Sequence, residues 1–205
     1  MTTPDDRGDD PRRNNHPAPT AEETISTVLG LDTLGDLPRT GWVIRGINPA
    51  ESVAAHSLGV AQVAMALVDS LRAEGHTIDG ERVLRMAVLH DAAEAATGDV
   101  PMPSKSPALR AALAAVERTI AEALLPPSWV EDWQEAADKQ TLESRVVKAA
   151  DKVQMMVKAL RYHLQGRRGL EDFWENPGNF RDMDVAPAAR MFEAIAARAG
   201  RSVPK

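Results

Sequence analysis

The sequence predicts an all-α protein, and three observations carry that prediction. Apolar residues recur at i, i+3, i+4 along several long stretches, the period of an amphipathic helix. Alanine is abundant and β-branched runs are few, which suits helices packed closely together. No stretch alternates apolar and polar residues as a half-buried strand would, and no internal repeat is visible. With 205 residues the chain is long enough for one good core.

The elements follow in order. Residues 1–19 are rich in Pro, Asp and Arg and nearly free of large apolar groups, so they read as a disordered tail that includes His16. Residues 20–200 read as one domain. Thr20 with Glu23 forms a capping box that starts a short helix through Ile25, Val28, Leu29 and Leu31. A loop follows, from Gly35 to Gly41. A long helix is expected from about Glu51 to Glu74, stopped by Gly75, with the stripe Val53, His56, Val60, Val63, Leu67 and Leu71. Asp79 caps the next helix, which is expected to run to about Ala95. The stretch from Thr97 to Pro107 contains Pro101, Pro103 and Pro107 and cannot be regular helix. A helix over about 108–125 ends at Pro126-Pro127. Ser128 can cap another from Trp129, interrupted near Thr141 and resuming through Val146, Val147, Ala150, Asp151, Met155 and Leu160. Residues 166–178 are loop-rich, with Phe173 and Trp174 as packing anchors. A last helix covers about 186–199.

Composition narrows the function. The net charge of −6 does not favour a nucleic-acid partner. No cysteine is present, so thiol nucleophiles, thiolate metal sites and disulfides are excluded. No run approaches a membrane span in apolar length, and no apolar leader is visible at the N-terminus. A cytoplasmic protein with no membrane partner is therefore expected.

Three of these helices each carry a metal-ligand type of side chain on an otherwise apolar stripe. His56 lies between Val53 and Val60. His90 and Asp91 follow Val83 and Met86, with Glu94 on the same expected face. Asp151 has Val147 and Met155 at i−4 and i+4. Burying such groups unpaired costs several kcal/mol or more. Each alone is satisfied by an ordinary partner. Together they supply two imidazoles and two carboxylates suited to a hard-to-borderline divalent cation with room for water.

The wording around these positions resembles a known family. The order His…His-Asp…Asp is that of the HD-domain metal-dependent phosphohydrolases. Pro38-Arg-Thr-Gly-Trp-Val-Ile-Arg45, Glu51-Ser-Val-Ala-Ala-His-Ser57, His90-Asp-Ala-Ala-Glu-Ala-Ala-Thr-Gly-Asp-Val-Pro101 and Lys148-Ala-Ala-Asp-Lys152 resemble its 5′-deoxynucleotidase-like branch over about residues 20–180. That resemblance implies a helical bundle with one divalent metal between core helices (Mn, Co, Ni, Zn, Fe or Mg). It implies the ligands His56, His90, Asp91 and Asp151. Glu94 then matches the acidic residue beside the metal, and Asp99 the aspartate after Thr-Gly, both as catalytic groups. Arg45 matches the phosphate-contacting arginine, and Lys105 falls where a basic residue follows the Pro-rich loop. The implied reaction releases phosphate from a small phosphomonoester, a (deoxy)nucleoside 5′-monophosphate, and homodimers are common in the family. The alternatives are a non-catalytic nucleotide-binding module and a phosphatase of another small phosphomonoester.

One departure stands out. Bacterial deoxynucleotidases carry a tryptophan directly after the matched arginine, and here that place is Gly46. Weaker discrimination against a 2′-hydroxyl is expected from the lost bulk. Two-metal and di-iron relatives of the fold use extra histidines, and residues 92–150 contain none. Among the remaining candidates, Trp42 reads as core packing and His76 as a solvated loop residue. His163 falls about 120° from the face of Asp151. Lys148 and Lys152 read as ion-paired or solvated. Asp138 lacks apolar neighbours at i−4 and i+4. Ser57 has no base and orienting group, and Glu51 is expected to pair with Arg45.

Overall fold

The computed structural model describes residues 16–101 and 106–204. Most of the tail expected over residues 1–19 lies outside them, and so does Lys105. The described residues hold ten α-helices: α1 (Ala21–Asp32), α2 (Thr40–Val43), α3 (Val53–Ala73), α4 (Gly80–Leu89), α5 (Glu94–Thr97), α6 (Pro107–Leu124), α7 (Pro127–Asp138), α8 (Leu142–Leu164), α9 (Glu171–Glu175) and α10 (Ala186–Arg198). Among these residues the only extended pairing is an isolated antiparallel bridge between Pro38 and Ser52. The all-α expectation holds.

Helix ends follow local chemistry. The Thr20 hydroxyl accepts from the Glu23 amide, and the Glu23 carboxylate accepts from the Thr20 amide at 2.7 Å, as expected of a capping box. Ser52, rather than Glu51, caps α3 by accepting from the Ala55 amide. Asp79 caps α4 and Thr141 caps α8. Helix α7 starts one residue before the expected Ser128 cap, with Pro127 in its first turn, where the fixed proline φ suits a helix and the missing amide hydrogen costs nothing.

The core forms where α3 packs against α8 and α4, with α7 and α10 alongside. Val53, Val60 and Leu67 of α3, Val83 and Met86 of α4, and Val146, Val153 and Met156 of α8 are essentially solvent-free. By length and hydropathy α3 is apolar enough to cross a membrane, contrary to the reading from composition. Its stripe nevertheless packs in the core against α4 and α8.

The helix expected to continue to Ala95 stops at Leu89. His90–Ala93 form a tight turn, held by Ala92 N donating to Leu89 O at 2.8 Å and Glu94 N to Asp91 O at 3.0 Å. The His90 ring supplies the reason. Its Nδ1 bonds Ala87 O at 2.8 Å, the carbonyl that a continuing helix would offer to the amide of residue 91. The turn moves His90 and Asp91 off the regular helical face on which the sequence places them.

Leu67→Ala is expected to destabilise the protein by about 2–5 kcal/mol, since its side chain is wholly enclosed. Leu58→Ala, on the same helix but 63% exposed, should cost under about 0.5 kcal/mol. Denaturant unfolding of the two variants measures the contrast.

Candidate metal centre and active site

Helix α3 brings His56 into the centre of the bundle, where it is 1% exposed. The turn after α4 supplies His90 and Asp91, and α8 supplies Asp151. His56 Nε2 lies 3.3 Å from Asp151 Oδ1 and 3.7 Å from Asp91 Oδ2. His90 Nε2 lies 3.2 Å from Asp91 Oδ2. One ligand atom each from His56, His90 and Asp151 fall within 4.8 Å of one another. Three of the four expected ligands, His56, His90 and Asp151, thus form one cluster, and Asp91 stands beside its two histidines.

The two imidazoles are prepared in the same way. Each has its Nδ1 engaged: His56 with Gln154 Oε1 at 2.5 Å, His90 with Ala87 O. Each has a buried Nε2 that makes no hydrogen bond. A carbonyl partner on Nδ1 makes that nitrogen the donor and leaves the Nε2 lone pair directed at the carboxylates. Two such lone pairs beside two carboxylates form a donor set that a divalent cation completes. These residues fit the metal that their chemistry implies.

The cluster attracts positive charge strongly. Burial pushes the Asp91 carboxyl up, but His90 and Arg39 outweigh it and hold the group well below the usual carboxylate range. Burial likewise opposes ionisation of Asp151, and Lys148 and His56 reverse the balance. On the cationic side, burial lowers the Arg39 guanidinium, yet Asp91, Asp99 and Glu94 raise it on balance. Asp151 raises Lys148.

Arg39 belongs to the Pro38–Arg45 motif, which by itself gives it no role. Its Nη1 donates to Asp91 Oδ2 at 2.9 Å and lies 3.7 Å from Glu94 Oε2 and 3.6 Å from Asp99 Oδ1. Asp99 Oδ2 also accepts from the Thr40 amide at 2.6 Å, fixing the start of α2. Lys148 Nζ lies 2.5 Å from Asp151 Oδ2, the ion-paired role expected of it. No spacing rule marks Arg39, because it reaches the centre from an irregular segment.

A cavity of about 430 Å³ opens over the centre. Its wall mixes the cations Arg39, Arg45, Lys148 and Lys152 with carboxylates, while Met155 and Phe173 supply apolar surface. Asp172, Asn176 and Asn179 stand on the loop-rich side. A smaller cavity of about 250 Å³ reaches the centre from the α7 side, past Trp133 and Lys139.

Arg45 lines the larger cavity but is already engaged. Its Nε donates to Asp172 Oδ1 at 3.1 Å, its Nη2 pairs with Asp172 Oδ2, and its Nη1 donates to Gly41 O. Its guanidinium lies over the Phe173 ring. The expected Glu51–Arg45 pair is not formed. Glu51 is buried and instead meets Lys158 Nζ at 2.9 Å and Trp42 Nε1 at 2.8 Å. Trp42 is 2% exposed and stacks on Phe173 at 4.4 Å, so the core reading of Trp42 holds.

Gly46 is exposed, does not line the cavity, and follows α2 with φ +73°. That left-handed backbone favours glycine. A Cβ at this position would meet no atom within 4 Å, so the structure leaves the space beside Arg45 open.

The comparisons with known proteins agree with this geometry. The profile of the HD domain family matches residues 31–176. A human protein named 5′-deoxynucleotidase HDDC2 is 29% identical over 185 residues, 85% of this chain and 86% of that one. Its Xenopus laevis counterpart is 31% identical, covering 73% of this chain and 75% of its own. Among solved structures, the PH0347 protein of Pyrococcus horikoshii OT3 matches with a TM-score of 0.74 at 31% identity, over 86% of this chain and 98% of that one.

Metal analysis after loading should return one divalent cation per chain. His90→Ala should lose most of it, because a monodentate ligand is removed from a four-residue set. Two ions per chain, or unchanged occupancy in the variant, would contradict the assignment.

Proposed function

The chain belongs to the HD domain family, and on that premise we propose that it is a metal-dependent 5′-nucleotidase. It releases phosphate from nucleoside 5′-monophosphates, deoxyribonucleotides among them, as the names of its relatives suggest. The observation that carries this reading is the pair of buried, unbonded imidazole nitrogens facing Asp91 and Asp151 at the floor of a cavity that also presents Arg39 and Lys148.

His56, His90, Asp91 and Asp151 would hold a divalent cation, which would supply Lewis acidity and lower the pKa of a water near the phosphate. The two imidazoles favour Mn, Fe, Co, Ni or Zn over Mg, which prefers an all-oxygen set. The remaining work falls to the chain itself. Arg39 binds and orients the phosphate. Its planar guanidinium matches a phosphate edge, and it is held among Asp91, Glu94 and Asp99 rather than swinging in solvent. Lys148 adds a second positive charge against the doubly charged monoester. Glu94 receives the proton of the attacking water, since it stands at the junction of both cavities. Asp99 has one oxygen committed to the Thr40 amide and the other turned to Arg39, which suits an anchor better than a proton acceptor. Arg45, tied to Asp172 at the rim, is placed to touch the nucleoside side of the substrate more than its reacting phosphorus.

The direct test is phosphate release from ribo- and deoxyribonucleoside monophosphates, with sugar phosphates as controls and each metal supplied in turn. Turnover of nucleotides alone supports the proposal. Turnover of sugar phosphates alone would overturn the substrate class, and nucleotide binding without turnover would favour a non-catalytic module.

Glu94→Ala is expected to lower kcat by about 10²–10⁴-fold with metal content retained. Arg39→Ala should lower kcat/KM by about 10²–10³-fold, the scale of a lost transition-state donor. Arg45→Ala should cost roughly tenfold, expressed mainly in KM. Steady-state kinetics separate the two arginines, and an equal loss in both would remove the distinction drawn between them.

A further inference from the structure

Behind the metal centre lies a buried polar chain that the mechanism above does not use. His56 Nδ1 meets Gln154 Oε1 at 2.5 Å. Gln154 Nε2 donates to Glu51 Oε2 at 3.1 Å. Glu51 also accepts from Trp42 Nε1 and faces Lys158 Nζ, and its own amide donates to the Tyr162 hydroxyl at 3.2 Å. His56, Gln154 and Glu51 are all at most 7% exposed. Polar groups buried this deeply cost free energy unless they are satisfied, so the chain is not incidental.

The order of donors and acceptors along this chain has only one consistent solution. Glu51 faces an ammonium and an indole N–H, so its carboxylate is the acceptor throughout. The Gln154 amide must then turn its NH₂ towards Glu51, because the opposite orientation would set two oxygens against each other. That leaves Gln154 Oε1 facing His56, and an oxygen there can only accept. His56 therefore carries a proton on Nδ1, which leaves Nε2 as the atom that can take a cation beside Asp151.

We propose that Gln154 and Glu51 form a positioning relay that sets the tautomer and ring orientation of His56 and so makes it a metal ligand. The proposal rests on the metal-binding reading of the centre but not on the identity of the substrate. Gly59 supports it independently. A Cβ at that position in α3 would lie 2.8 Å from Gln154 Cγ and 2.9 Å from Gln154 Nε2. Glycine inside a helix is unfavourable by about 1 kcal/mol relative to alanine. Here its missing side chain makes the space that the Gln154 amide occupies. The relay also extends to the substrate side, since Trp42, bonded to Glu51, stacks on the Phe173 of the cavity wall.

The relay is tested without substrate. Nitrogen-15 spectra of histidine-labelled, metal-free protein report which ring nitrogen of His56 is protonated. The wild type should show the Nδ1–H form. Glu51→Gln is close to isosteric and should release the Gln154 amide to flip, giving a mixture with the Nε2–H form. Competition with a chelator for Zn or Mn then measures affinity. Gln154→Leu should weaken metal binding by about 10–100-fold, the usual consequence of losing the partner that orients a metal-bound histidine. Gln154→Glu should restore most of it. A protonated carboxyl can donate to Glu51 while its other oxygen accepts from His56. Gly59→Ala should weaken binding although it favours the helix. Wild-type tautomer and wild-type affinity in folded Gln154→Leu or Glu51→Gln would overturn the relay. So would a folded Gln154→Glu that binds no better than the leucine variant. Failure of the nucleotide assay would leave these measurements unaffected.

Discussion

Four acidic side chains, Asp91, Glu94, Asp99 and Asp151, converge inside a helical core, and the surrounding structure is arranged to make that tolerable. Like charges in a region of low dielectric repel strongly and are poorly solvated. The protein answers with Arg39 and Lys148 on the cavity side. Two imidazoles whose Nε2 atoms face the carboxylates complete a donor set, and a divalent cation held there would add the remaining charge. The same concentration of negative charge that costs stability is what gives the site its affinity for a metal, so stability and function pull against each other at one point.

The break between α4 and α5 is part of that arrangement. A continuous helix would carry His90, Asp91 and Glu94 along one rigid face at fixed rise. The turn at His90–Ala93 instead folds Asp91 back towards His56 and lets Glu94 begin a new short helix at the junction of the two cavities. The same imidazole that serves the centre also satisfies the carbonyl at which α4 ends. Ligand and helix terminator are one residue.

The two arginines of the Pro38–Arg45 segment show how position divides similar chemistry. Arg39 is drawn inward by three carboxylates, beside the His56, His90 and Asp151 cluster. Arg45, only a turn and a half further on, is held at the rim by Asp172, a residue far along the chain, and lies over Phe173. The distinction depends on a contact between the ends of the fold, and no local spacing encodes it. Gly46 makes the same point from the other side. Its conformation is dictated by the end of α2, and it has no view of the cavity.

Much of this protein is determined by sequence alone. Helical periodicity, capping at Thr20, Asp79 and Thr141, and the Pro-rich stop signals specify the helices, because those rules act over a few neighbouring residues. The candidate metal-binding residues are legible for a related reason. A histidine or aspartate on an apolar stripe must be buried, and burial demands a partner. Tertiary structure decided the rest. It placed Arg39 among three carboxylates, tied Arg45 to Asp172, gave Glu51 to Lys158 and Trp42, and set Gln154 behind His56. These choices depend on which side chains meet across helices far apart in sequence, and on the donor and acceptor directions they then share. Only the packed fold brings those directions together.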